Sequence, residues 1–387
     1  MKMIVLGCGL VGGPMAIDLA RENNFEVSIV DRNQEALDAV ASEHPKIRTV
    51  HRDLGDPQEV GALVADHDIV LNAVPGFMGF QTLKAIIEAG KNVVDIAFYP
   101  ENPFDLDELA KEKGVTAVVD CGVAPGMSNL LIGHVHERLD RTDSVLIYVG
   151  GLPEIRHWPF EYRAVFSPID VIAEYTRPAR YVENGELVTR TALSDPELID
   201  FPGIGTLEAF NTDGLRTLAD TIDAPNMKEK TLRYQGHIEK MAFLRAAGFF
   251  SEEPVEVDGH LIRPVDLTAR LMFPQWQMEK GEVDITVLQI IVEGEKEGAP
   301  QRYVYNLLDK YDASSNTHSM ARTTGYTATV AARMLARGLY DQKGISPPEY
   351  VGRHEECVEF MLDGLAERGI VIVANDEGAE PSSGRVM

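Results

Sequence analysis

The stretch Met3-Ile4-Val5-Leu6-Gly7-Cys8-Gly9-Leu10-Val11-Gly12-Gly13 decides the fold. Its four apolar residues read as a buried strand, and Pro14–Arg21 beyond the glycines reads as a helix. G-x-G-x-x-G set between a strand and a helix is a dinucleotide-binding turn, whereas the same glycines elsewhere would be only a flexible loop. Gly7 permits the tight turn, Gly9 lets a pyrophosphate approach the backbone, and Gly12 lets helix and strand pack closely. Leu10 and Val11 complete the loop, and the free amides at the helix start face the phosphates. Asp31 ends the next apolar run, where a carboxylate reaches the adenosine ribose and repels a 2′-phosphate. That favours NAD over NADP, although the neighbouring Arg32 is a group that can accept such a phosphate. Asp53, after the third strand, is either an adenine contact or a loop residue.

Outward from the loop, short β-rich runs at Met3–Leu6, Glu26–Val30, Ile47–Val50, Asp68–Val74, Asn92–Ile96 and Thr116–Val119 alternate with amphipathic stretches. The stretches Gln34–Ser42, Pro57–Ala65, Gly79–Ala89 and Leu106–Glu112 have helical spacing. The alternation predicts an α/β fold, a Rossmann-type doubly wound parallel sheet. After about residue 128 strands and hairpin signals dominate, such as Asn184-Gly185 between two β runs and the charged GEKEGA turn between Val283–Glu293 and Gln301–Leu307. A second, α+β domain for substrate binding and dimerisation is expected over 128–320. The first domain spans 1–127 and is completed by about 321–372, and the polar composition over 373–387 predicts a disordered tail.

At 387 residues the chain exceeds the roughly 250–300 at which single cores stop growing, which supports two domains. A net charge of −25 argues against nucleic-acid or anionic-membrane partners, because phosphate repels such a surface. It reads either as an ordinary solvating surface or as adaptation to high salt. No apolar run approaches the roughly 20 residues needed to span a bilayer. The three cysteines, Cys8, Cys121 and Cys357, lack disulfide or metal spacing, and His134 and His136 lie on different helix faces, so a cytoplasmic protein without a metal site is expected.

Ligands of open α/β sheets bind beyond the carboxyl ends of the strands. Those ends carry Ala73-Val74-Pro75, Asp95 and Asp120. Carboxylates at the rim of an apolar crevice have shifted pKa values, which makes Asp95 and Asp120 candidate acid–base groups and Asp95 a cofactor neighbour. Tyr99, four residues beyond Asp95, is a candidate assistant. In the second domain Arg233, Tyr234 and His237 lie together in TLRYQGH. Arg233 offers a planar fork suited to a carboxylate, and Arg216 is a further candidate substrate contact. With Arg163, Arg177 and Arg180 it is available for the second set of carboxylate contacts that a substrate made of two joined amino acids would need.

The segments GCGLVGG, AVPGFMGF, VVDIAFYPENPFDLDELA, DCGVAPGMSN, YVGGLP, EYTRPAR, LEAFNTDGLRTL, TLRYQGHIEK and MARTTGYTA with GISPPE resemble, in order and spacing, the saccharopine dehydrogenase superfamily. Within it the chain is most similar to the NAD-dependent L-lysine 6-dehydrogenases. The resemblance implies a site between the domains, an aspartate at Asp95, and a TLRY segment that holds the substrate carboxylate. Some lysine 6-dehydrogenases have Gly-Gly-His after that aspartate, where this chain has Ala97-Phe98-Tyr99. The implied reaction is oxidation of the lysine ε-amine to a semialdehyde, with a small amino-acid substrate and a homo-oligomer, a dimer first, as partners. A saccharopine-type enzyme acting on a secondary amine, and a non-catalytic NAD-binding sensor or scaffold, are the alternatives.

Overall fold

The strands of the first sheet are runs of Val, Ile and Leu with no polar alternation, because helices cover both of their faces. The computed structural model describes residues 1–279 and 281–376. Its first sheet is seven-stranded and wholly parallel, in the order Gly344–Ser346, Thr116–Val118, Asn92–Asp95, Ile69–Asn72, Lys2–Leu6, Glu26–Asp31 and Arg48–His51. The strand order reverses on either side of Lys2–Leu6, and this reversal opens a crevice at the carboxyl edge. Six of these strands lie where the apolar runs place them. The seventh, Gly344–Ser346, is three residues long, too short to carry any period.

The second sheet is mixed. Its main path is Glu197–Phe201, Gly205–Asn211, Asn226–Tyr234, Arg141–Pro153, Asp284–Lys296, Ala299–Lys310 and Val373–Asp376. The hairpin Ala179–Glu183 and Glu186–Arg190 joins it through Met227 and Val182, turning at Asn184 and Gly185 with φ 53° and 81°. The GEKEGA segment turns more tightly than its composition suggests. The flanking strands pair as far as Lys296 and Ala299, leaving Glu297-Gly298 as the turn. Part of the expected tail is also ordered. Val373–Asp376 pairs antiparallel with Tyr303–Asn306, since the edge of that long hairpin offers free backbone groups. Residues 377–387 of the expected tail lie outside the described residues.

Between the sheets runs the helix Ser319–Ala336, with most of its residues buried. It packs on Gly12–Ala20, the helix that opens from the glycine loop. The contact centres on a buried carboxylate. Asp18 accepts Arg333 Nη1 at 2.8 Å, Arg368 Nε at 2.9 Å and the Thr329 hydroxyl at 2.6 Å. One side chain of the phosphate-loop helix therefore fixes two segments from the far end of the chain. Removing one partner of a buried ion pair strands the charge that remains. Asp18→Ala takes the shared carboxylate from two guanidinium groups, leaving Arg333 with Glu22 alone, and should cost about 3–5 kcal/mol, read as a lowered midpoint in urea unfolding. An unchanged midpoint would show that the pair is replaceable by solvent.

Candidate active site

The glycine loop is shaped by contacts that tolerate no side chain at two of its positions. Gly7 has φ +102°, and a Cβ there would lie 2.5 Å from the Ala73 carbonyl oxygen. A Cβ on Gly12 would lie 2.0 Å from the Gly7 oxygen. Gly9 is different: it is exposed, with nothing within 4 Å of where its Cβ would be. That open side faces a cleft of about 430 Å³ whose lining includes Gly7, Leu10, Val11, Ala73, Val74 and Pro75. A backbone that can be approached this closely at a helix N-terminus fits a dinucleotide pyrophosphate.

Asp31 lines the same cleft and braces the loop. Its Oδ2 accepts from the Cys8 amide at 2.6 Å and its Oδ1 from the Asn33 amide at 2.8 Å. Arg32 is exposed and does not line the cleft. Asp53 is a loop residue, with Oδ1 accepting from the Gly55 amide at 3.0 Å, and it does not line the cleft either.

The far half of the cleft comes from the second domain, and two periodicities build it. The helix Pro168–Thr176 presents Asp170, Ala173 and Glu174, continued by Arg177 just past its end, at i, i+3, i+4 and i+7 spacing. The strand Asn226–Tyr234 presents Glu229, Thr231 and Arg233 at every second residue. Thr212, Asp213 and Gly214 close the wall between them. The lining thus carries six carboxylates, Asp31, Asp120, Asp170, Glu174, Asp213 and Glu229, against two arginines, Arg177 and Arg233.

Several of these charges are matched. Arg180 holds Asp213 with two bonds of 2.8 and 3.0 Å, and Arg233 Nη2 donates to Glu174 at 2.7 Å. Asp120 accepts Arg216 Nε on both oxygens at 3.1 Å, and burial raises it while Arg216 pulls it back. Among the described residues Glu229 pairs with no cation. Burial pushes it up to about 8, and its carboxyl is bonded by the Thr212 hydroxyl, which in turn meets Thr231 at 2.8 Å.

Other expected site residues lie elsewhere. Asp95 does not reach the rim. Its Oδ1 accepts the Ala97 amide at 2.8 Å, which turns the chain over the carboxyl and leaves it fully buried. Ile96, Ala97 and Phe98 line the cleft in its place. Burial pushes Asp95 up to about 8. Tyr99 is buried with its ring edge-on to Phe80, outside the cleft lining. Arg216 joins the domains rather than facing the cleft, since its Nη1 donates to the Tyr99 carbonyl at 2.6 Å.

Tyr234 follows Arg233 in a strand and therefore points to the opposite face, where its hydroxyl donates to the Pro153 carbonyl at 2.8 Å. His237 is a core histidine. It is fully buried between the Tyr175 hydroxyl at 2.8 Å and the Phe160 carbonyl at 2.6 Å, and burial and then Arg233 push it down to about 3. Glu174, Asp170, Asp213 and Glu229 were not among the expected site residues, although the spacings that gather them are visible in the sequence. The buried Cys121 thiol is pushed up to about 12 by burial, which leaves no nucleophile there.

A doubly wound sheet, a glycine loop open to a cleft and an acidic wall from a second domain together define an NAD(P)-binding oxidoreductase. Comparison with known proteins narrows the class. Residues 3–118 match the saccharopine dehydrogenase NADP binding domain and residues 122–370 the saccharopine dehydrogenase C-terminal domain. The chain belongs to the saccharopine dehydrogenase family. It is 24% identical to the saccharopine dehydrogenase [NADP(+), L-glutamate-forming] of Schizosaccharomyces pombe, over 95% of this chain and 97% of that one. It is 27% identical to mouse mitochondrial alpha-aminoadipic semialdehyde synthase over 65% of this chain, spanning only 29% of the mouse protein. The fold of apo saccharopine dehydrogenase (L-Glu forming) from Saccharomyces cerevisiae superposes with a TM-score of 0.78 at 20% identity, covering 97% of this chain and 99% of that one. Among the described residues no helix is long and apolar enough to cross a membrane.

The open side of Gly9 provides a test of the cofactor site. Gly9→Ala meets no protein atom and should fold normally. Its methyl would intrude where the pyrophosphate approaches, so NADH affinity, followed by fluorescence titration, should fall by at least about tenfold. Unchanged affinity would place the phosphates elsewhere.

Proposed function

We propose that this protein oxidises the ε-amine of L-lysine with NAD, giving 2-aminoadipate 6-semialdehyde, ammonia and NADH. The observation that carries the reading is one cleft that joins the glycine loop to a second-domain wall with four carboxylates, Asp170, Glu174, Asp213 and Glu229, and two arginines. With most of its charges matched, such a wall offers carboxyl oxygens as acceptors to the hydrogens of an ammonium group. The resemblance of the chain to lysine 6-dehydrogenases supports the same choice. NAD is the proposed cofactor because Asp31 lines the cleft and Arg32 does not. Family members with names that specify NADP make this a choice to be measured. We further propose that the protein acts as a homodimer.

When bound, the nicotinamide accepts the hydride. The protein's own task is to hold the amine and take its proton, because an ammonium cannot release hydride from its carbon. Glu229 is the proposed acceptor. It lines the cleft, no cation among the described residues neutralises it, and Thr212 and Gly214 hold its carboxyl while burial, Glu174 and Asp213 oppose its ionisation. Asp120, paired with Arg216, steadies the junction, and Asp95 and Tyr99 support the floor from below. The ε-imine formed on the substrate adds water, and ammonia leaves.

A saccharopine-type reaction is the second reading, favoured by the near full-length match to the S. pombe enzyme. A secondary amine joining two amino acids carries three carboxylates, however, and the lining offers two arginines, one of them bound to Glu174. Incubation with NAD or NADP and a panel of lysine, saccharopine and diamines, followed by NADH absorbance, separates the readings. Lysine with NAD should be the best pair, and Asp31→Ser should narrow the preference for NAD. Turnover of saccharopine in preference to lysine would overturn the proposal.

The role of Glu229 has its own signature. Below about pH 8 it carries a proton and cannot accept another, whereas above that pH it is ionised. The kcat/KM for lysine should therefore rise with pH through a limb near 8, well below the lysine amine itself at about 10.4. Glu229→Gln should remove that limb and lower the rate on the order of 10²- to 10⁴-fold. A limb that persists in the variant would belong to another group.

A further inference from the structure

The two arginines of the cleft are not equivalent. Arg233 is committed on every side: Nη2 to Glu174 at 2.7 Å, Nε to the Tyr175 hydroxyl at 3.2 Å and Nη1 to the Leu232 carbonyl at 2.9 Å. The Tyr162 ring lies 4.6 Å from its Cζ. With its charge matched and its fork occupied, it has little to offer an incoming carboxylate.

Arg177 has the opposite character. Its guanidinium stacks on the Phe98 ring at 4.6 Å, and Nη2 donates to the Phe98 carbonyl at 3.3 Å, so its plane is fixed. Nη1 is buried and has no hydrogen-bond partner, and among the described residues Arg177 forms no ion pair within 4 Å. Asp170 and Asp213 act on it only at a distance, while Arg216 and Arg180 add like charge. A buried donor without a partner is costly, and a charged one more so. Such a group lowers the free energy of the site when an anion arrives. Arg177 also packs on the strand-end residue Phe98, at the seam between the nucleotide domain and the acidic wall, where a substrate must lie to meet both.

From this geometry we infer that Arg177 binds the α-carboxylate of the substrate. Arg233 is then a positioning residue that holds Glu174 in the wall. The inference rests on the reading that the substrate is an amino acid, and it moves the carboxylate from the TLRY segment, where the resemblance puts it, to the end of the helix Pro168–Thr176.

The test compares L-lysine with 1,5-diaminopentane, which has the same skeleton without the carboxylate. Binding of each to the NADH-loaded protein is measured by calorimetry, with circular dichroism and NADH fluorescence as checks on folding. The wild type should prefer lysine. Arg177→Met should weaken lysine on the order of 10- to 100-fold and leave the diamine nearly unchanged, so the preference collapses. Arg177→Lys should restore part of it, because a point charge replaces a planar fork. Arg233→Met should affect both ligands alike. If Arg177→Met keeps the preference, or Arg233→Met abolishes it, the assignment is overturned. If the wild type oxidises lysine while Arg177→Met still discriminates, only the carboxylate assignment falls. If the wild type neither binds nor oxidises either compound, the functional reading falls with it.

Discussion

The ion pair between Asp120 and Arg216 is the contact on which the arrangement of the cleft depends. Both residues sit in left-handed backbone, with φ 50° and 52°, and both are buried. Such a conformation costs a non-glycine residue about 1–3 kcal/mol, and it persists only where the surroundings over-determine it. Here one strand-end loop of the first domain is locked against the second domain by two charge-assisted bonds, with a third to the Tyr99 carbonyl. Phe98 lies beside two guanidinium groups, 4.6 Å from that of Arg177 and 5.1 Å from that of Arg216. The aromatic floor of the cleft is thus held by cations that reach across from the other domain.

So many carboxylates in one wall would repel each other unless most were answered. Asp120, Asp213 and Glu174 each have an arginine, and Asp170 accepts from the Gly76 amide at 3.2 Å. Glu229 is answered by burial instead, which holds its proton in place near neutral pH. The wall therefore combines a dense set of acceptor oxygens with a much smaller net charge. It can recognise a cation by hydrogen-bond geometry without the self-repulsion that unanswered carboxylates would bring.

The glycine loop was legible because Gly7 and Gly12 admit no side chain and Gly9 keeps the backbone open to a ligand, so that steric necessity writes itself directly into residue type. Asp31 was legible for a similar reason, since the end of the second strand has a fixed relation to the loop. The parallel sheet followed from unbroken apolar runs, but the three-residue strand Gly344–Ser346 and the edge strand Val373–Asp376 left no pattern to find. Asp95 was misplaced because a strand end fixes where a residue sits but not where its side chain turns. A single bond to the Ala97 amide decides that. Tyr234 was a different kind of miss: strand alternation already sends it away from Arg233. The acidic wall was hidden because its periodicities, 170-173-174-177 and 229-231-233, involve charged residues, which amphipathic reading assigns to solvent. Only a facing domain reveals that the polar side is an interior one.

The path of the chain makes the two halves depend on each other. It leaves the first sheet after Thr116–Val118, builds most of the second sheet, returns through Ser319–Ala336 and Gly344–Ser346, and ends on the second sheet at Val373–Asp376. The nucleotide-binding sheet therefore takes a covering helix and an edge strand from beyond the segment that builds most of the second sheet. Without those later segments the side of Gly12–Ala20 that meets the helix has no cover, and Asp18 keeps only the distant Arg21, at 4.0 Å. The two halves therefore stabilise one another, since the helix that covers the phosphate-loop helix also packs against the long strands of the second sheet.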